Sequence, residues 1–188
     1  HQQVPGWRQD SGKRAQRTLW RQSRFSSFCA AGSELRGLIR ILPNGRKEVI
    51  GFTAKQARDL YDLRWIIENR ALEIIFADRS LMNFTPMIEI LNQIRAAYHE
   101  KDEEADRYRL DLEFHRAIIL ASGNQALVKA SESYSSTMLV LMRLYVVQGH
   151  EEFIRTMYEQ HRVLFEYIVG RDERVFSLLR DHIMSACP

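Results

Sequence analysis

Asp111, His115, His161 and His182 are the residues of this chain whose types and spacing most directly offer chemistry. Asp111 and His115 stand four apart in a strongly helical stretch, so they share a face and project the same way. His161 follows Met157 and precedes Leu164 and Ile168, while His182 follows Val175 and Leu178, which sets each imidazole in the apolar stripe of a later helix. Three helices thus carry imidazole or carboxylate where a bundle normally carries Leu or Ile. Such groups are costly to bury unless they satisfy one another. One carboxylate and three imidazoles suit a divalent ion such as Zn, Ni, Fe, Co or Mn, with positions left open for water or a small anion. Spacing alone balances that use evenly against an Asp–His hydrogen-bonded network that plugs the core. Neither a nucleophile nor an HExxH-type base accompanies the set, and Glu113, two positions from both Asp111 and His115, points away from it. His99 and His150 fall at predicted helix ends and His1 is the first residue, so none of the three joins the set.

The elements that must position these residues are helices. Thr53 is the expected N-cap of a first helix running to about Ala77, with Leu60, Leu63, Ile67, Ala71 and Ile74 on its apolar face. Periodicity covers roughly Leu81–Glu100 next, but Pro86 places the helix start near Thr85, with Leu81–Phe84 as a separate turn. A third helix spans about Glu104–Ala121 and ends at Ser122-Gly123-Asn124. The fourth covers about Gln125–Val147, the fifth about Glu151–Val169, and the sixth runs from an Asp172 N-cap to about Ser185. Six helices with short connections predict an antiparallel bundle. Before them, Glu34–Ile50 reads as two short strands joined by Pro43-Asn44-Gly45, with Arg46 and Lys47 at the tip. Such a basic hairpin serves equally well against a phosphate backbone or as an ordinary surface feature.

Composition bounds the function. The chain has 188 residues and 45% hydrophobic content, enough for a sizeable core. Residues 1–50 hold ten Lys or Arg against three acidic groups, whereas residues 51–188 hold seventeen basic and twenty-one acidic groups. A basic head on an acidic body fits a chain whose first part meets a polyanion. Cys29 and Cys187 form no CxxC pair and no disulfide framework, which points to a reducing compartment. No apolar run approaches the roughly eighteen residues of a membrane span, and a cytoplasmic location is expected.

The series Asp59-Leu-Tyr-Asp-Leu-Arg64-Trp-Ile-Ile-Glu68, Asp111-Leu-Glu-Phe114-His115, Ala121-Ser-Gly-Asn124, Glu159-Gln-His161 and Asp181-His182 resembles the C-terminal domain of the FadR subgroup of GntR-type bacterial transcription regulators. The resemblance covers roughly residues 53–186. It implies an all-helical, metabolite-sensing domain that holds a divalent metal through Asp111, His115, His161 and His182. It also implies a small organic acid reaching the open face of that metal, with Arg64 as its basic partner and Asn124 as a second contact. Their structural uses would be a salt bridge from Arg64 to Glu68 and a cap on the fourth helix by Asn124. Upstream, Glu34–Val49 resembles the end of a winged helix-turn-helix, with Gly37-Leu38-Ile39 as the last turn of its recognition helix and the wing around Pro43-Asn44-Gly45-Arg46. Residues 17–33 do not match the rest of that motif, so the winged helix is partial and Arg24 is carried as a DNA contact without the motif around it.

The residues taken with this resemblance imply residues 1–50 as a partial, basic winged helix-turn-helix and residues 53–186 as an all-α, metal-containing, ligand-binding domain. The function expected is a homodimeric DNA-binding regulator, with Arg24, Arg40, Arg46 and Lys47 on the operator and a small carboxylate as effector. Two alternatives stand beside it: a metal-dependent enzyme acting on a small acid, and a helical dimer module whose histidines only fix packing.

Overall fold

A computed structural model describes residues 39–45, 47–49, 51–78, 80, 83–99, 106–145 and 150–187, with side chains described at these positions other than 39–41, 47–49, 98–99, 144–145 and 150–155. The described residues belong to the unit Glu34–Pro188. A hairpin of β1 (Ile39–Ile41) and β2 (Lys47–Val49) precedes six helices: α1 (Ala54–Ala77), α2 (Thr85–His99), α3 (Arg107–Ala121), α4 (Gln125–Tyr145), α5 (His150–Gly170) and α6 (Val175–Ser185). The strands are antiparallel, with Ile39 opposite Val49, Arg40 opposite Glu48 and Ile41 opposite Lys47. The Gly45 N–H donates to the Leu42 carbonyl at 2.8 Å, and Gly45 has φ +76, a left-handed conformation that glycine adopts without steric cost. Two sequence expectations shift here. Ile39 lies in a strand rather than a recognition helix, and Lys47 opens β2 rather than standing at the tip. Arg24 and Arg46 lie outside the described residues, as do the side chains of Arg40 and Lys47.

The helices start and stop where local chemistry directs. Thr53 and Gln56 close a reciprocal capping box at the head of α1. Asn83 Oδ1 accepts from the Thr85 N–H just ahead of Pro86, so α2 begins where the proline allows. Asp106 caps α3, accepting from the Arg109 N–H. Asn124 Oδ1 accepts from the N–H groups of Ala126 and Leu127 at the start of α4. At α6 the expected cap moves. Arg174 occupies the N-cap position without a side-chain bond, and Asp172 instead receives the Arg174 N–H and guanidinium in a turn two residues earlier.

Packing places α3 at the centre, against α1, α2, α4 and α5, while α6 packs on α1 and α5. Short turns link α3 to α4 and α5 to α6, and each of these consecutive pairs packs together. The buried face of α1 is Ala57, Tyr61, Arg64, Ile67, Glu68, Ala71, Leu72 and Ile75. Leu63, expected inside, is 41% exposed, and Leu60 and Ile74 are only partly buried. The inward stripe is therefore rotated from the one that apolar residues alone mark, and it carries two charged side chains, Arg64 and Glu68, into the bundle.

Candidate metal centre

Asp111 and His115 come from the inward face of α3, His161 from α5 and His182 from α6. Among the described residues these four form a cluster whose ligand atoms all lie within 4.8 Å of one another. Asp111 Oδ1 is 3.2 Å from His161 Nε2, 3.9 Å from His115 Nε2 and 4.0 Å from His182 Nε2. His115 Nε2 and His182 Nε2 are 3.1 Å apart. Ligands bound at about 2.0–2.2 Å to one ion stand at most about 4.4 Å from each other. The four atoms are thus within a few tenths of an ångström of closing on a single centre.

Neighbouring groups decide which ring nitrogens face inward. His161 Nδ1 donates to the Met157 carbonyl at 2.7 Å, as expected for a helical histidine one turn on. In the neutral ring Nε2 then carries only a lone pair, and it meets the carboxylate of Asp111 as one acceptor facing another. His161 Nε2 is accordingly buried without a hydrogen-bond partner. His115 Nδ1 donates to Glu68 Oε2 at 2.5 Å, which turns its Nε2 lone pair toward His182. Inward-facing lone pairs on buried rings are costly unless a cation meets them. The residues present therefore fit a divalent ion: the cluster is capable of coordinating one, through three imidazole nitrogens and one carboxylate oxygen. Phe114 packs edge-on against the His161 and His115 rings, with centroids at 4.7 and 5.7 Å, and closes the apolar wall.

Electrostatics favour the protonation states that ligation needs. Burial and the Arg64 charge both push His115 below its ordinary value. Burial pushes His182 well below it, assisted by the other two rings. For Asp111 burial acts upward, but the opposing influences, led by the Arg64 charge, outweigh it and hold the carboxyl well below the usual range. Glu68 behaves alike, its burial overcome by His115 and Arg64. Tyr61 and Tyr134 are buried within electrostatic reach of Arg64, and burial pushes both phenols up, so they remain neutral.

Arg64 stands inside the bundle, 2% exposed, with its guanidinium engaged by both Glu68 and Asp111. Glu113 points out to Arg109, as expected. His182 lies at the edge of its helix's inward face, whose fully buried residues are Val175, Leu179 and Ile183, with Leu178 packed partly buried against the core. Sequence reasoning missed Glu68 as a partner of the centre. Its signal was present in the spacing, because Glu68 lies one turn from Arg64 and three residues before Ala71 on the face that enters the core.

The sequence pattern of the FCD domain matches residues 59–185, most of the chain and all four cluster residues. The chain belongs to the FCD domain family. Among curated proteins, the uncharacterized HTH-type transcriptional regulator YdhC of Bacillus subtilis (strain 168) is 21% identical over 149 residues, 79% of this chain and 64% of YdhC. This FCD chain thus spans just under two thirds of that relative's length. A solved structure named as a transcriptional regulator GntR, from Rhodococcus sp. RHA1, superposes with a TM-score of 0.67 at 17% identity, covering 89% of this chain and 78% of that one. At that identity the likeness shows the fold: an all-α six-helix bundle, matching the FCD fold. No helix among the described residues is long and apolar enough to cross a membrane.

Proposed function

We propose that this FCD domain is the sensing part of a cytoplasmic, homodimeric transcription regulator of the FadR subgroup, that residues 1–50 supply a winged, DNA-contacting part, and that residues 53–186 respond to a small organic acid. The observation that carries the reading is the inward convergence of three ring nitrogens and one carboxylate oxygen within 4.8 Å. Asp111, His115, His161 and His182 would hold the divalent ion, which when bound supplies a positive, Lewis-acidic point for a carboxylate oxygen.

Charge bookkeeping supports an anionic effector. With neutral rings, Arg64, Glu68 and Asp111 leave the site one negative charge, and a dication turns that into one positive charge. Arg64 then favours the acid through its charge, with Nε and Nη2 already serving Glu68 and Asp111. Asn124 has its Oδ1 in the α4 cap, so its amide nitrogen is the group left for an effector. The ligand helices α3, α5 and α6 meet at this one point, so an occupant that draws them together shifts the pose of the whole bundle. Two winged segments in a dimer would convert that shift into a changed spacing on DNA, with Arg24, Arg40, Arg46 and Lys47 against the operator.

The test pairs metal with DNA. Wild-type protein purified without chelator should carry metal that His115→Ala and His161→Ala have lost, and equal metal content in all three would end the sensor reading. Binding to its own promoter region should fall steeply with salt, exceed binding to random duplex, and change when candidate acids are added to the metal-loaded protein. Salt dependence without sequence preference would reduce residues 1–50 to a nonspecific phosphate binder.

A further inference from the structure

Two pairs of residues, each spaced i,i+4, face one another across α1 and α3: Arg64 with Glu68, and Asp111 with His115. Their contacts alternate around a ring. Arg64 Nη2 donates to Asp111 Oδ2 at 3.0 Å, Arg64 Nε donates to Glu68 Oε1 at 2.9 Å, and His115 Nδ1 donates to Glu68 Oε2 at 2.5 Å. All four side chains are buried. We infer that Arg64 and Glu68 are positioning residues of the metal centre, selecting the Asp111 oxygen and the His115 nitrogen that face the ion. The inference rests on the reading of the cluster as a metal site.

Each contact removes one ambiguity. A carboxylate has two equivalent oxygens, and the guanidinium engages Oδ2, which leaves Oδ1 toward the three rings. An imidazole has two nitrogens, and the Glu68 carboxylate holds the proton on Nδ1, which leaves the Nε2 lone pair inward. A carboxylate behind a ligating histidine also raises the basicity of the ring. A salt bridge that only ties one turn of α1 to the next needs neither outward contact and stands ordinarily in water. Here both partners are buried, where a bare ion pair is hard to sustain, and the second oxygen of Glu68 goes to a metal ligand.

The probe is Zn²⁺ affinity, measured by competition with a chromogenic chelator, alongside the visible spectrum of the Co²⁺-loaded protein. Loss of a residue behind a metal ligand lowers affinity about 10- to 100-fold. Glu68→Ala should show that loss together with a changed Co²⁺ spectrum. Glu68→Gln keeps an acceptor for His115 Nδ1 and should recover part of the affinity. Arg64→Lys keeps the charge without the fork and should fall between wild type and Glu68→Ala. If Glu68→Ala fails to fold, Glu68→Gln and Arg64→Lys carry the test. Wild-type affinity and spectrum in folded variants would overturn the inference and leave Arg64 and Glu68 as packing elements. A wild type that binds neither Zn²⁺ nor Co²⁺ any better than His161→Ala would instead remove the metal reading itself.

Discussion

The two sides of the centre are built differently. On the α1–α3 side, Arg64, Glu68, Asp111 and His115 are buried and each is bonded to another member of the group. On the α6 side, His182 is 11% exposed, stacks on His115 with centroids at 5.0 Å, and among the described residues its Nε2 meets only other cluster members. One half is organised by charges that belong to the fold, whereas among the described residues the other is held by polar contacts within the cluster alone. The largest expected effect therefore falls on the first half. Arg64→Met leaves Glu68 and Asp111 buried without their cation, and removing one partner of such a group costs about 3–5 kcal/mol. Urea denaturation in the presence of chelator measures this. A loss under about 1 kcal/mol would show that the two carboxylates do not depend on the guanidinium.

The histidines divide along the same line. His115→Ala strips Glu68 Oε2 of its donor, and an unsatisfied buried acceptor costs about 1–3 kcal/mol in the metal-free protein. His182→Ala leaves no such orphan outside the cluster and should cost under about 1 kcal/mol. Both should lower Zn²⁺ affinity, since both remove a member of the cluster. Equal losses of metal-free stability would erase the distinction between the two sides.

Acidification tests the group as a whole. Asp111, Glu68, His115 and His182 all take up protons at lower pH in the folded chain than in the unfolded one. Between the two, the unfolded chain binds more protons, so stability falls as pH falls. The decline should begin near the ordinary imidazole range, about 6.5, and steepen near the carboxylate range, about 4. Denaturation curves at pH 7.5, 6 and 5 check the sign, and a metal-free protein that gains stability on acidification contradicts these protonation states.

The helices and the cluster residues they carry were legible because their signals are local. Thr53 and Pro86 mark helix starts by backbone chemistry, and the Asp111–His115 spacing places both residues on one face whatever surrounds them. The inward face of α1 was not legible by hydrophobicity. Leu60, Leu63 and Ile74 outweigh Arg64 and Glu68 in any apolar count, yet the charged pair is inside because α3 supplies its counter-groups. That information lies 47 residues away along the chain. The α6 cap failed for a different reason: Asp172 is a good capping residue, but Arg174 engages its side chain first. Similarly, the fully buried stripe runs through Val175 and Leu179, with Leu178 and His182 partly buried at its margin.

Asn124 separates a capping role from an effector role. Asn124→Ala removes the acceptor for two N–H groups at the head of α4 and should cost about 1 kcal/mol. If the acid also bonds the Asn124 amide, its affinity falls as well. Asn124→Asp keeps the cap and removes the amide, so it should hold stability while weakening the acid. Unchanged acid affinity in Asn124→Asp assigns the residue to the cap alone.

The smallest effect is the control for the largest. Leu63 precedes Arg64 on α1, but it faces outward with 41% of its surface exposed. Leu63→Gln keeps helix propensity and removes a mostly solvated side chain, so it should cost under about 1 kcal/mol and leave Zn²⁺ affinity at the wild-type value. Two adjacent residues would then differ severalfold in energy, and only the charged one would reach the metal. A Leu63→Gln loss matching that of Arg64→Met would mean that α1 is sensitive throughout its length. The contrast between the two sides of the centre would then belong to the helix and not to the ionic ring.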